Sequence, residues 1–143
     1  YFGTTVAVRS GGRGDVTSQT LWRVERTANR LGSGVVYNGH AYILNTNGIM
    51  ECHDLKTGKI QFSERVRGSG SKQESWSSMI IAGDRIYVPN QSGETIIMQA
   101  SPEFQLIGSN ELDGTLTNSS LAASDGQLFL RTHKHLWSIG KRQ

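Results

Sequence analysis

Hydrophobic positions in this chain come in short runs. "VVYNGHAYIL" and "MIIAGDRIYV" each carry two runs of apolar, β-branched and aromatic residues, broken by Asn-Gly or Gly-Asp. Such runs, alternating with Gly, Asn, Asp and Ser punctuation, mark short strands joined by tight turns. Almost no segment places apolar residues at i, i+3, i+4 and i+7, so amphipathic helices are not expected. The 17 glycines against 2 prolines supply the turns. The pattern predicts an all-β chain.

The pattern repeats. "SGVVYNGHAYILNTNG" from Ser33 aligns without gaps with "SMIIAGDRIYVPNQSG" from Ser78, and again with "SLAASDGQLFLRT" from Ser120. Tyr42, Tyr87 and Phe129 fall in register, as do the three serines, at spacings of 45 and then 42 residues. Each unit reads as four strands, and a period of about 40–45 with four strands per unit is that of a β-propeller blade. The expected architecture is an all-β propeller of four-stranded antiparallel blades, a little over three of them, in one partial domain spanning 1–143. Residues 1–28 supply the last two strands of a blade, 31–66 and 74–112 a blade each, and 116–141 three strands of a final blade.

"HDLKTGKIQF" (His53 to Phe62) resembles a phosphate-binding loop at first sight. It lacks the preceding glycines, Ile60 stands where Ser or Thr is needed, and no helix pattern follows. The alternative is a hairpin turn. The Asp54 carboxylate accepts backbone N–H bonds from residues two or three further on, Gly58 supplies a positive φ, and Phe62 lies back over the turn to shield it.

The same residues carry a resemblance. "CHDLKTGKIQF" is similar to the Ala-x-Asp-x-x-Thr-Gly-Lys-x-x-Trp motif of the PQQ-like β-propeller repeats, with Cys52 for Ala and Phe62 for Trp. That family includes quinoprotein dehydrogenases and BamB-type outer-membrane assembly lipoproteins. "MQASPEFQLIGSNEL" and "ASDGQLFLRTHKHLWSIGK" resemble its variant final blades, so the chain corresponds to C-terminal blades. The resemblance implies structural motif roles for Asp54, Thr57, Gly58, Lys59 and Phe62, and for Trp22 at the matching place in the preceding blade. The family's enzymes hold PQQ on the propeller axis with calcium, using an adjacent Cys-Cys disulfide, an Asp base and a stacking Trp. Cys52 is the chain's one cysteine, and neither the base nor the calcium ligands can be matched. The resemblance therefore implies a non-catalytic binding scaffold, periplasmic or extracellular in a bacterium, that meets a protein or an extracellular polymer without a cofactor. Two alternatives stay open. One is the C-terminal part of a PQQ-dependent dehydrogenase whose active site lies on other blades. The other is the sensor propeller of a kinase-like protein.

Charge and composition narrow the partners. The net charge is +3, but the 15 basic residues are scattered rather than gathered into the aromatic-interleaved stripe of a nucleic-acid binder. No apolar run approaches the roughly 20 residues of a spanning helix. The first residues do not read as a signal peptide, and no initiator Met is present, which fits a processed or excised chain.

The remaining candidates are single features. Cys52-His53-Asp54 has the residue types of a nucleophile, base and orienter, but neighbours on a strand point to opposite faces. No catalytic residue is assigned. His133 and His135 are the weak metal candidates: two apart on a strand they would share a face, but no third ligand is evident nearby and the position suits an exposed turn. Arg13-Gly14-Asp15 reads as a polar loop, and Asn90 and Asn118 sit in glycosylation-type triplets. Trp22, Trp76 and Trp137 track the repeats and are expected between blades. Trp76 stands apart because it follows the polar loop 67–75, the segment where unit two differs most in length and where recognition is expected.

The blade count raises a closure problem. A row of a little over three blades leaves an apolar face bare at each end, and each Å² of apolar area is worth about 25 cal/mol when buried. Either the chain is part of a longer propeller, or copies self-associate through these faces.

Overall fold

The computed structural model describes residues 3–140. Among them, thirteen strands form four antiparallel sheets. The first sheet is a pair, β1 (Gly3–Val8) with β2 (Thr20–Thr27). A four-stranded sheet follows: β3 (Val35–Tyr37), β4 (His40–Leu44), β5 (Ile49–Asp54) and β6 (Ile60–Arg65), paired in chain order. The next repeats this with β7 (Ile80–Ala82), β8 (Arg85–Pro89), β9 (Glu94–Gln99) and β10 (Leu106–Glu111). The last holds β11 (Ala122–Ser124), β12 (Gln127–Arg131) and β13 (Leu136–Ile139).

Turn chemistry sets the registers. Asn38 and Gly39 both have positive φ, 45° and 76°, the mirror-image turn that matches strand twist. Asp125 and Gly126 repeat it at 49° and 74°. These turns hold Val35 opposite Tyr42 and Ala122 opposite Phe129, so strand alternation sends one set of side chains to each face of a blade.

The core lies where two blade faces meet. Tyr42, Leu44, Met50, Cys52 and Val66 of the first four-stranded blade pack against Met79, Ile86, Val88, Ile96 and Met98 of the second. Tyr42, Met50, Cys52, Ile86 and Met98 have no exposed surface at all. Toward either end of the row of sheets apolar side chains open to solvent. Next to the two-stranded β1–β2 sheet, Leu31 and Val36 are 66% and 59% exposed. At the other end Leu136 is 74% exposed.

Candidate functional site

The turn between β5 and β6 is tied by its own side chains. Asp54 Oδ1 accepts the N–H of Thr57 (2.8 Å), the hydroxyl of Thr57 (2.7 Å) and the N–H of Lys56 (3.1 Å). The hydroxyl bond from Thr57, with the backbone bond beside it, holds the Asp54 carboxyl below the usual carboxylate range. Gly58 has φ +74°, and a Cβ there would meet the Trp22 ring at 2.6 Å. The Trp22 indole N–H donates to Leu55 O at 2.9 Å. The sequence put Phe62 over this turn, and the structure corrects that. Trp22 of the preceding blade covers it, while Phe62 points onward and meets Phe104 of the next blade edge-on, 5.4 Å between centroids. The outer-strand aromatic thus fastens its blade to the following one rather than to its own turn.

Behind Trp22 lies a charged cluster that the sequence did not single out. Glu51 and His53 alternate with Met50 and Cys52 on β5, so they face the β1–β2 pair. Arg30 Nη2 donates to Glu51 Oε2 at 2.6 Å and Arg30 Nη1 to the Thr5 hydroxyl of β1. His53 is fully buried, its Nε2 3.1 Å from Glu51 Oε2 and its Nδ1 3.3 Å from Gly58 O. Its ring stacks parallel to Trp22, centroids 6.0 Å apart. The His53 hydrogen bond and the Arg30 charge hold the Glu51 carboxyl below its ordinary range, against the opposing effect of burial. Cys52, beside His53 in sequence, faces the core on the opposite side of the sheet. Burial pushes its thiol up to about 11, so the protonated form dominates and no nucleophile is activated.

Each blade hands a hydrogen bond to the next. The Ser33 N–H donates to Ser78 Oγ and the Ser78 N–H to Ser120 Oγ, both at 2.9 Å. At the same end of the sheets a backbone ladder runs across the blades. Thr46 N–H donates to Asn29 O and Ser75 N–H to Thr46 O; Gln91 N–H donates to Glu74 O, Thr117 N–H to Gln91 O and His133 N–H to Leu116 O. Asn45, Asn90 and Thr132 shape the three turns on this rim, their side-chain oxygens accepting N–H groups of Ile49, Glu94 and His135 respectively. Asn90 is therefore buried at 1% exposure and committed to its turn.

The 67–75 loop is strapped down at this rim. Glu94, 1% exposed, accepts the N–H groups of Ser69 (2.9 Å) and Gly70 (3.2 Å) and the Asn90 amide (2.8 Å). Burial pushes the Glu94 carboxyl up, but the bonds from Ser109, Ser69, Asn90 and Gly70 outweigh it and hold the group below its ordinary range. Lys72 N–H donates to Ser92 Oγ at 2.8 Å, closing the loop over the neighbouring turn.

Other candidates are redistributed. His133 and His135 do not lie on a strand. They fall in the turn between β12 and β13, because Thr132 N–H closes onto His135 O at 2.8 Å. His135 turns to Asp113 at 3.5 Å and lies edge-on to Trp137, while His133 lines a groove toward Lys72. Among the described residues no three His, Cys, Asp or Glu side chains gather as a metal site. Trp76 is not packed between blades. It is 48% exposed, at the inner end of the strapped loop, where the ladder fixes Ser75 and leaves the next side chain outward. Asp15 of the Arg13–Asp15 loop accepts the N–H and hydroxyl of Thr17. Among the described residues no helix is long and apolar enough to cross a membrane.

No protein-family model and no curated protein sequence matches the chain. Solved structures do. BamB from Moraxella catarrhalis superposes over 96% of this chain with a TM-score of 0.74 at 11% identity, and the chain spans 40% of BamB's length. The quinohemoprotein alcohol dehydrogenase ADHIIG from Pseudomonas putida HK5 matches over 78% of this chain and 23% of its own, with a TM-score of 0.59 at 13% identity. A europium-containing methanol dehydrogenase matches over 78% of this chain and 22% of its own, at 0.56 and 12%. The chain has the PQQ-like β-propeller fold.

Proposed function

We propose that the chain is a non-catalytic binding scaffold that offers its ladder-braced rim to a protein or an extracellular polymer, in the periplasm or outside the cell. One observation supports this above others. The rim's backbone is fixed by cross-blade bonds and by the buried Glu94, while Trp76 stands 48% exposed upon it. An exposed aromatic on a pre-ordered surface contributes binding energy at little entropic cost. The Cys52-His53-Asp54 groups are consumed internally: His53 bonds Glu51 at a blade junction, Asp54 ties its own turn, and Cys52 is an inert thiol. The BamB likeness extends to fold and leaves the partner open.

A photo-crosslinking residue placed at Trp76, and separately at Asp125 on the opposite rim, tests the reading. Cross-links to a discrete macromolecule from the Trp76 site alone are expected when the protein meets the extracytoplasmic fraction of its source. Equal labelling from both sites would overturn it. Quenching of the tryptophans by PQQ with calcium would instead favour the dehydrogenase reading.

A further inference from the structure

On the same rim, a groove of about 170 Å³ between the second four-stranded blade and the last is lined by Lys72, Gln91, Leu116, Asn118 and His133. A second hollow, which shares His133 with it, lies along the 131–136 turn and is lined by Arg131 and Lys134 among others. The walls of the groove are set before any ligand arrives. The backbones of Gln91 and His133 belong to the cross-blade ladder, the Lys72 backbone is fixed through Ser92, and the Gln91 amide donates to Asn118 Oδ1 at 2.9 Å. Among the described residues Lys72, His133 and Lys134 have no acidic partner within salt-bridge distance. The acids on this side are partly engaged: Asp113 faces His135, Glu111 accepts from Ser69, and Glu94 is saturated. Glu74 is a further exposed acid of this rim. The turns of the opposite rim mix the two signs, with Asp54, Asp84, Glu103 and Asp125 beside Lys56, Lys59 and Arg85.

From this we infer that the groove binds a carboxylate-rich segment of a partner protein, with Lys72, His133 and Lys134 facing the acids and the Gln91–Asn118 pair meeting the segment's backbone. The inference rests on the scaffold reading and names the chemistry of its partner. A peptide is favoured over an acidic glycan because the groove's lining holds no aromatic platform for a sugar ring.

The test is fluorescence anisotropy of a labelled poly-Glu peptide with the intact chain at about 0.1 M salt. Lys72→Glu with Lys134→Glu is expected to weaken binding at least about tenfold, or about 1.4 kcal/mol. Lys56→Glu with Arg85→Glu, the same charge change on the opposite side, is expected to leave it within about twofold, since screening confines the effect to roughly 10 Å at moderate salt. Equal loss in both pairs would mean a net-charge effect and overturn the site. Tighter binding of an oligogalacturonate would overturn the choice of a peptide. Absence of peptide binding would overturn this inference, while cross-links from Trp76 would still leave the scaffold reading standing.

Discussion

The indole N–H of Trp22 donates to the carbonyl of Leu55 across a blade boundary, at 2.9 Å, with its ring lying against Gly58. One side chain thereby joins the β1–β2 pair to a turn 33 residues away. Trp22→Phe keeps the ring and loses the bond, and is expected to cost about 1 kcal/mol. Trp22→Ala also loses the packing on His53 and Gly58, about 2–3 kcal/mol. Urea unfolding measures the totals. Limited proteolysis locates them, with cleavage within 9–19 rising first in Trp22→Ala.

That fastener shows what a sequence can and cannot reveal here. The blades were legible because strand alternation and turn residues are local: Asn38-Gly39 and Asp125-Gly126 specify their hairpins by backbone conformation alone. Trp22 and Phe62 were legible as equivalent aromatics, but not the direction in which they reach, since packing onto the next blade is a relation between units. Glu94 reads as a solvent-facing strand residue. Only the longer 67–75 loop, folding back over it, turns it into a buried acceptor. His53 stood out only beside Cys52 and Asp54; its junction with Glu51 and Arg30 was missed because Arg30 precedes its unit, 21 residues from its partner. His133 and His135 fall in the exposed turn that their position suits, closed by Thr132 through a shorter link than the Asn90 turn of the unit before.

The serine relay separates backbone from side-chain roles. Ser78 and Ser120 each accept an N–H from the preceding blade, so Ser78→Ala and Ser120→Ala are each expected to cost about 1 kcal/mol. Ser33 enters the relay through its backbone N–H, and Ser33→Ala is expected to stay within about 0.5 kcal/mol. Chemical denaturation of the three variants checks this. Equal effects from all three would mean that the serines act through local conformation instead.

Acid should release the 67–75 loop before it unfolds the sheets. The Glu94 carboxyl titrates below its ordinary value in the folded state, so the unfolded chain takes up the proton first as pH falls. Its stabilisation is therefore complete above the usual carboxylate range and is lost as pH drops through the folded value. Amide exchange at Ser69 and Gly70 should accelerate there, ahead of exchange in β8 and β9. In Glu94→Gln the loop should be loosened at neutral pH, by about 2 kcal/mol, with no such acid step. A persistent acid step in Glu94→Gln would assign it to another carboxylate.

The charged junction can be tested against the apolar one beside it. Glu51 faces Ile43 across β4–β5 as Ile96 faces Val88 across β8–β9, and His53 faces Ala41 as Met98 faces Ile86. Two equivalent blade faces thus use opposite chemistries, one an ion cluster and the other part of the core. Removing one member of the cluster strands the others in a buried site, so Glu51→Ala is expected to cost about 3 kcal/mol or more. Replacing the set, Arg30→Met with Glu51→Ile and His53→Met, copies the neighbouring junction and removes the desolvation of all three groups. That triple variant is expected to be at least as stable as the parent in urea. If it were as damaged as Glu51→Ala, the cluster would be contributing attraction beyond its desolvation cost. The stacking of Trp22 on His53 would be the first contact to re-examine.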